Sequence, residues 1–179
     1  IEISTGPSYT INDWLASKQV DIALTYEQAL DDTLMSVTPL IQEEMHLVFT
    51  ASTSSIEYTA LRQKQSIHFW EMSDLPLLSP GKKDALGQLI DHYEKATGVS
   101  LQHDLVYSGQ LMTGLRQVMQ GAGVMILPTS AIFHLKESGL VSTLKITQPE
   151  MHRSVFAAVN KRIKTDSHLD YVINIIRKV

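Results

Sequence analysis

Short runs rich in apolar residues, unbroken from Val124 to Leu127, alternate along the chain with segments whose apolar residues recur every three or four positions. Val20-Asp21-Ile22-Ala23-Leu24, Leu34 to Leu40, Met45 to Thr50, Leu75 to Leu78, Leu105 to Tyr107, Val124 to Leu127, Leu144 to Ile146 and Ser154 to Val159 predict strands. Helical spacing covers Ser8 to Ser17, with Ile11, Trp14 and Leu15 on one face and a capping-box pattern from Thr10 to Asp13. It returns from about Lys82 to Thr97, through Leu86, Leu89, Ile90 and Tyr93, and Gly98 stops it. Further helices carry Leu111, Leu115 and Val118 behind Ser108, which can cap the first of them, run from about Ser130 to Glu137, and start again near Asp166 with Leu169, Val172, Ile173 and Ile176 buried. Ile1 to Ile3 reads as the tail of a strand, and Ala51 to Gln65 is polar and carries little pattern.

Strand, helix, strand, helix with short loops predicts an α/β protein with mostly parallel sheets. There is no internal repeat, low-complexity tract or long linker. If two lobes exist, the chain passes between them inside ordered strands, which makes a hinge with a cleft. At 179 residues either one domain or two small lobes fits.

Charge and composition narrow the function. Nineteen acidic against fifteen basic residues leave a net charge of −4, so this segment is not expected to bind duplex DNA by itself. No apolar stretch approaches the roughly 20 residues of a membrane span. With no cysteine, disulfides and thiolate chemistry are excluded, which fits a reducing, cytoplasmic setting. A start at Ile1 is expected of a segment excised from a longer chain.

The run Gln120 to Ser130 holds a helix stop at Gly121 and Gly123, a buried strand, the strand-ending Pro128 and a helix start at Thr129 or Ser130. Two other junctions resemble it: Leu78-Ser79-Pro80-Gly81-Lys82-Lys83 and Tyr107-Ser108-Gly109-Gln110. A helix N-terminus at the carboxyl end of a strand binds anions through free N–H groups, and Lys82 or Lys83 would add a full charge. Ordinary capping accounts for any one junction, but three at strand ends favour a cleft. The candidate ligand-binding residues are Ser79, Pro80, Lys82, Ser108, Gly123, Pro128 and Thr129, with Thr25 and Tyr26 facing them from the end of an earlier strand; backbone N–H groups at 81–82 and 129–130 should share the binding.

Other chemistry finds no support. Seven histidines are scattered without HxH, HExxH or HxxxH spacing, so no metal is expected. Glu43 and Glu44 would point to opposite faces of a strand, a poor acid/base pair. GxSxG and Walker-type loops are absent, and Gly121-Ala122-Gly123 is too short and follows a helix, so neither a catalytic residue nor a cofactor is expected.

Trp14-Leu15, Asp21-Ile22-Ala23-Leu24, Pro39-Leu40 and Glu44-Met45-His46-Leu47-Val48 together resemble the effector-binding domain of LysR-type transcriptional regulators. Leu75-Pro76-Leu77-Leu78, Gly121-Ala122-Gly123-Val124 and Ile126-Leu127-Pro128 continue the likeness over nearly the whole chain, and Tyr26-Glu27 is similar to the nitrogen assimilation control subgroup. The resemblance implies a two-lobed fold like a periplasmic binding protein, with a two-strand hinge crossing near Leu47-Val48 and Ser154-Val155. Lobe I would be residues 1–47 plus 155–179, truncated at its N-terminus so that Ile1 to Ile3 matches its second strand, and lobe II 48–154.

It also implies a homodimer or homotetramer that reaches DNA only through a separate N-terminal domain. A small effector, an anion or organic acid, would bind between the lobes. The alternatives are a transport-associated solute-binding protein of the same architecture, a domain regulated without a ligand, and, last, an enzyme.

Overall fold

The computed structural model describes residues 1–179 except 30–32, 53, 55, 108–110, 163–166 and 178–179. In chain order its elements are α1 (Ser8–Ala16), β1 (Ala23–Tyr26), β2 (Met35–Thr50), α2 (Thr59–Arg62), β3 (Ser66–His68), β4 (Pro76–Pro80), α3 (Ala85–Thr97), β5 (Gln102–Tyr107), α4 (Leu111–Met119), β6 (Met125–Pro128), α5 (Thr129–Glu137), β7 (Val141–Thr147), β8 (His152–Asn160) and α6 (Ser167–Ile176). This is the α/β architecture that the sequence pattern predicts, arranged in the two lobes that the family resemblance implies.

The sheets are less parallel than the apolar runs suggest. Along β2 every partner is antiparallel: β8 against Met35–Glu44, then β6 against Met45–Val48 and β7 against His46–Thr50. β1 also runs antiparallel to β8. Among the described residues parallel pairing is confined to β3 with β7, β4 with β5, and a bridge from Leu77 to Val124. An unbroken apolar run reports burial on both faces and says nothing about the direction of the neighbour.

The two strands expected around Leu34 to Leu40 and Met45 to Thr50 are one, because the polar Gln42-Glu43-Glu44 between them stays extended. Glu43 is buried there against Arg153, directly opposite in the β2–β8 register. Ile1 to Ile3 forms no strand and is exposed. α1 starts at Ser8 behind Pro7 with no side-chain cap, so the Thr10 to Asp13 pattern lies inside the helix. Likewise Pro128 occupies the cap position of α5, and Thr129 is its first helical residue.

At Met45 β2 leaves one core and enters another. A large cluster holds Met45, Leu47, Val48 and Phe49 with Ile67, Leu78, Leu89, Leu115, Ile126 and Leu144. The other half is thinner: Leu15, Ala23, Met35 and Ala158 form one cluster, and Ala157, Val159 and Ile173 another. Asn160, buried at the end of β8, donates to the carbonyls of Leu15 and Ala16 and so closes the end of α1. No helix among the described residues is long and apolar enough to cross a membrane.

Candidate functional site

A cleft of about 1040 Å³ opens between the two halves. Small-molecule sites are concave, mostly apolar and of this order of volume. Residues 5–9 ahead of and into α1 line it, with Leu24 and Tyr26 of β1. The 80–84 turn, Ile11 of α1, Leu86 of α3, Leu111 and Met112 of α4, Leu127 to Ala131 (Thr129 apart) and Arg153 complete it.

The junctions offer different chemistry. α5 has no side-chain cap, and Ser130 and Ala131 of its first turn line the cleft, so the first N–H groups of this helix are open to an anion. α3 is closed: Asp84 accepts the N–H of Leu86, and Ser8 accepts that of Ala85 at 3.1 Å. The α3 junction thus contributes Lys82 and Lys83 to the cleft and not its first amide groups.

Of the residues expected to bind a ligand, Tyr26, Pro80, Lys82 and Pro128 line the cleft. Thr25 does not. It alternates with Leu24 and Tyr26, so its side chain turns to the opposite, buried face, where its hydroxyl has no partner among the described residues. Ser79 is buried beneath the turn. Gly123 lies at the far end of β6, where a Cβ would come within 2.0 Å of Leu78 Cδ1 and 2.5 Å of the Pro76 carbonyl oxygen, so this glycine serves close packing. Thr129 stands at the rim and donates its hydroxyl to the Glu44 carbonyl at 3.2 Å, tying α5 to β2. Ser108 lies outside the described residues.

Ser79 joins a chain that resembles a nucleophile, base and acid. Its Oγ is 2.9 Å from His103 Nδ1, and His103 Nε2 is 3.2 Å from both carboxylate oxygens of Glu94. Ser79 is 2% exposed and does not border the cleft, so no substrate reaches it from there; the chain pins β4, β5 and α3 together.

Sequence reasoning missed Arg153 and residues 5–9. Thr5-Gly6-Pro7-Ser8 has the same turn-then-helix signature as the other junctions and could have been found that way. Arg153 could not, because what marks it is its surroundings. Its Nε donates to Glu43 Oε2 at 3.0 Å, its Nη2 donates to the same oxygen, and its Cζ lies 4.1 Å from the centroid of the Tyr26 ring.

Charged side chains also gather where the chain crosses between the halves. Lys145 bridges Glu44 at 3.0 Å and Glu150 at 3.2 Å, and His152 lies 3.4 Å from Glu150. Hydrogen bonds to Glu44 and then Glu150 hold the Lys145 ammonium above its usual pKa. His46, 3.8 Å from Glu44, is pushed below its usual range by burial, which outweighs the opposing pull of that carboxylate.

The family model described as the LysR substrate binding domain matches residues 1–179. Among solved structures the fold is similar to the effector-binding domain of QuiR in complex with shikimate. That match has 18% identity and a TM-score of 0.79, over 97% of this chain and 78% of the other. The regulatory domain of Synechocystis PCC6803 CcmR in complex with 2-PG matches at 11% identity and TM-score 0.78, covering 96% and 79% of the two chains. The reduced OxyR regulatory domain from Pseudomonas aeruginosa matches at 21% and 0.76, covering 97% and 80%. At these identities the likeness is one of fold. No curated protein matches the chain in sequence.

Proposed function

This chain belongs to the LysR substrate-binding-domain family, and from that premise we propose that its cleft is the effector site of a LysR-type transcriptional regulator. The observation that carries the reading is the cleft itself, walled by both halves of the chain and lined by hydrogen-bond donors as well as apolar side chains. A ligand touching both walls has different affinity for different arrangements of the halves, which is what a sensing domain requires. Shikimate in the QuiR structure and 2-PG in that of CcmR support a small-molecule effector.

An anion or organic acid fits best, because Lys82, Lys83 and the open first turn of α5 face the cleft with Asp84 the one carboxylate among its described lining residues, and Arg153 adds directed N–H donors. Tyr26, Pro80, Lys82 and Pro128 remain our ligand-binding residues from the sequence, joined by Ser130 and Arg153. The partner change of β2 at Met45 and the start of β8 at His152 support lobes of about 1–44 with 152–179, and 45–151, a few residues from the crossings expected near 47–48 and 154–155. In the cell the domain would work in the cytoplasm as part of a homodimer or homotetramer, reaching DNA through another domain.

Leu24 provides the test. It lines the cleft and is half exposed, so Leu24→Trp fills the cleft without disturbing a core. Calorimetry against a panel of organic acids that includes shikimate should find a binder for the parent chain, and the substitution should abolish it. A binder whose affinity ignores Leu24→Trp sits elsewhere and refutes the site, and the absence of any binder refutes the sensing role.

A further inference from the structure

Arg153 sits on β8 between two neighbours that both grip it. The β2–β8 register sets Glu43 directly opposite, and the β1–β8 register sets Tyr26 opposite Val155, one diagonal step away on the same face. Glu43 Oε2 accepts from Nε and Nη2, and the Tyr26 ring covers one face of the guanidinium. The Arg153 side chain is 12% exposed and that of Glu43 8%. A buried charge needs a partner, and here the partner also fixes the rotamer, so the planar group is held before any ligand arrives.

The grip does not use up the donors. An arginine carries five N–H groups in a fixed fork. Glu43 engages Nε and Nη2, while Nη1 makes no hydrogen bond among the described residues, and Arg153 borders the cleft. The same cleft is lined by the apolar side chains of Leu24, Leu86, Leu111, Met112 and Leu127, beside the charged turn at 82–84.

We propose that Arg153, clamped by Glu43 and Tyr26, is the specificity-determining residue of the cleft, and that it selects a carboxylate carried on an apolar body. The inference rests on the cleft being the effector site. Glu43 already balances the guanidinium charge, so Arg153 supplies directed donors more than net attraction. Selection then falls on the shape and acceptor capacity of the ligand group: a carboxylate has lone pairs for the free edge, whereas the matching carboxamide turns an NH2 toward it.

The test uses matched pairs, benzoate with benzamide and hexanoate with hexanamide, titrated into the 179-residue chain by calorimetry. The variant is Arg153→Met combined with Glu43→Gln, which removes the guanidinium without leaving a buried carboxylate alone. In the parent chain the acid should bind about tenfold or more tightly than its amide, the scale of a hydrogen bond to a charged group. In the double variant the preference should fall to about twofold or less, the amide being held as before. The Arg153 Nε–H resonance should move with the acids in the parent chain. Acid preference that persists in the double variant would place the anion on the first turn of α5 or the lysines and overturn this assignment, while leaving the cleft as the effector site. Equal binding of acid and amide to the parent chain would overturn it too. Binding that survives Leu24→Trp would remove the cleft, and this inference with it.

Discussion

The hydroxyl of Ser8, the first residue of α1, accepts the N–H of Ala85, the first residue of α3, at 3.1 Å. α1 packs in the small core and α3 in the large one, so this hydrogen bond crosses between the halves away from the crossing strands. Both residues are buried. Ser8→Ala leaves the Ala85 N–H without an acceptor, at a cost of about 1 kcal/mol, the scale of a lost helix cap. The expected result is a lower midpoint in urea with an unchanged slope; an unchanged midpoint would mean that this contact adds nothing to the fold.

Glu43 and Arg153 should behave as a unit. Arg153→Met alone strands a buried carboxylate and should cost about 3–5 kcal/mol, whereas adding Glu43→Gln should recover most of that loss. Urea unfolding of the two single variants and the double variant closes the cycle. Additive losses would show that the two side chains are not coupled.

Gly123 is tightly enclosed within the run that begins at Gln120. A methyl group there collides with the Leu78 side chain and with backbone at Pro76. Gly123→Ala should therefore destabilise by about 2 kcal/mol or more, read as a fall in thermal midpoint. Gly139→Ala is the control for a glycine with open space around it, strained only by its φ of 72°.

His46 should make stability depend on pH. Burial lowers its folded pKa, so as pH falls below about 6.5 the unfolded chain takes up the proton first. Its contribution to stability is complete above that pH and is lost on acidification, until the folded imidazole also protonates. The urea midpoint of His46→Gln should decline less steeply than that of the parent chain between about pH 7 and pH 5. An identical decline would mean that His46 titrates alike in both states.

The elements were largely legible where burial is two-sided. Val124 to Leu127 is apolar without a break and Met45 to Thr50 is apolar but for His46 and Thr50, and buried strand, β6 and the end of β2, covers nearly all of both. Pairing direction was not legible, since β2 meets only antiparallel partners that lie far away in sequence. β3 escaped notice because Ile67 is its one apolar residue, and Gln42 to Glu44 hid the continuity of β2 because their partners are remote: Arg153 is 110 residues from Glu43 and Lys145 is 101 from Glu44. The candidate site followed the same division. Junction residues such as Pro80 and Pro128 could be read locally, whereas the inward turn of Thr25 and the grip on Arg153 exist only once β1, β2 and β8 are side by side.

β2 feeds both cores, and β8 pairs with it along the smaller one, so the smaller half is assembled from two separated stretches of polypeptide. One proteolytic cut at the turn around Glu150 therefore frees nothing. The fragments stay clasped through the β2–β8 and β1–β8 ladders, and the nicked chain should run as a single particle until denaturant separates it in two.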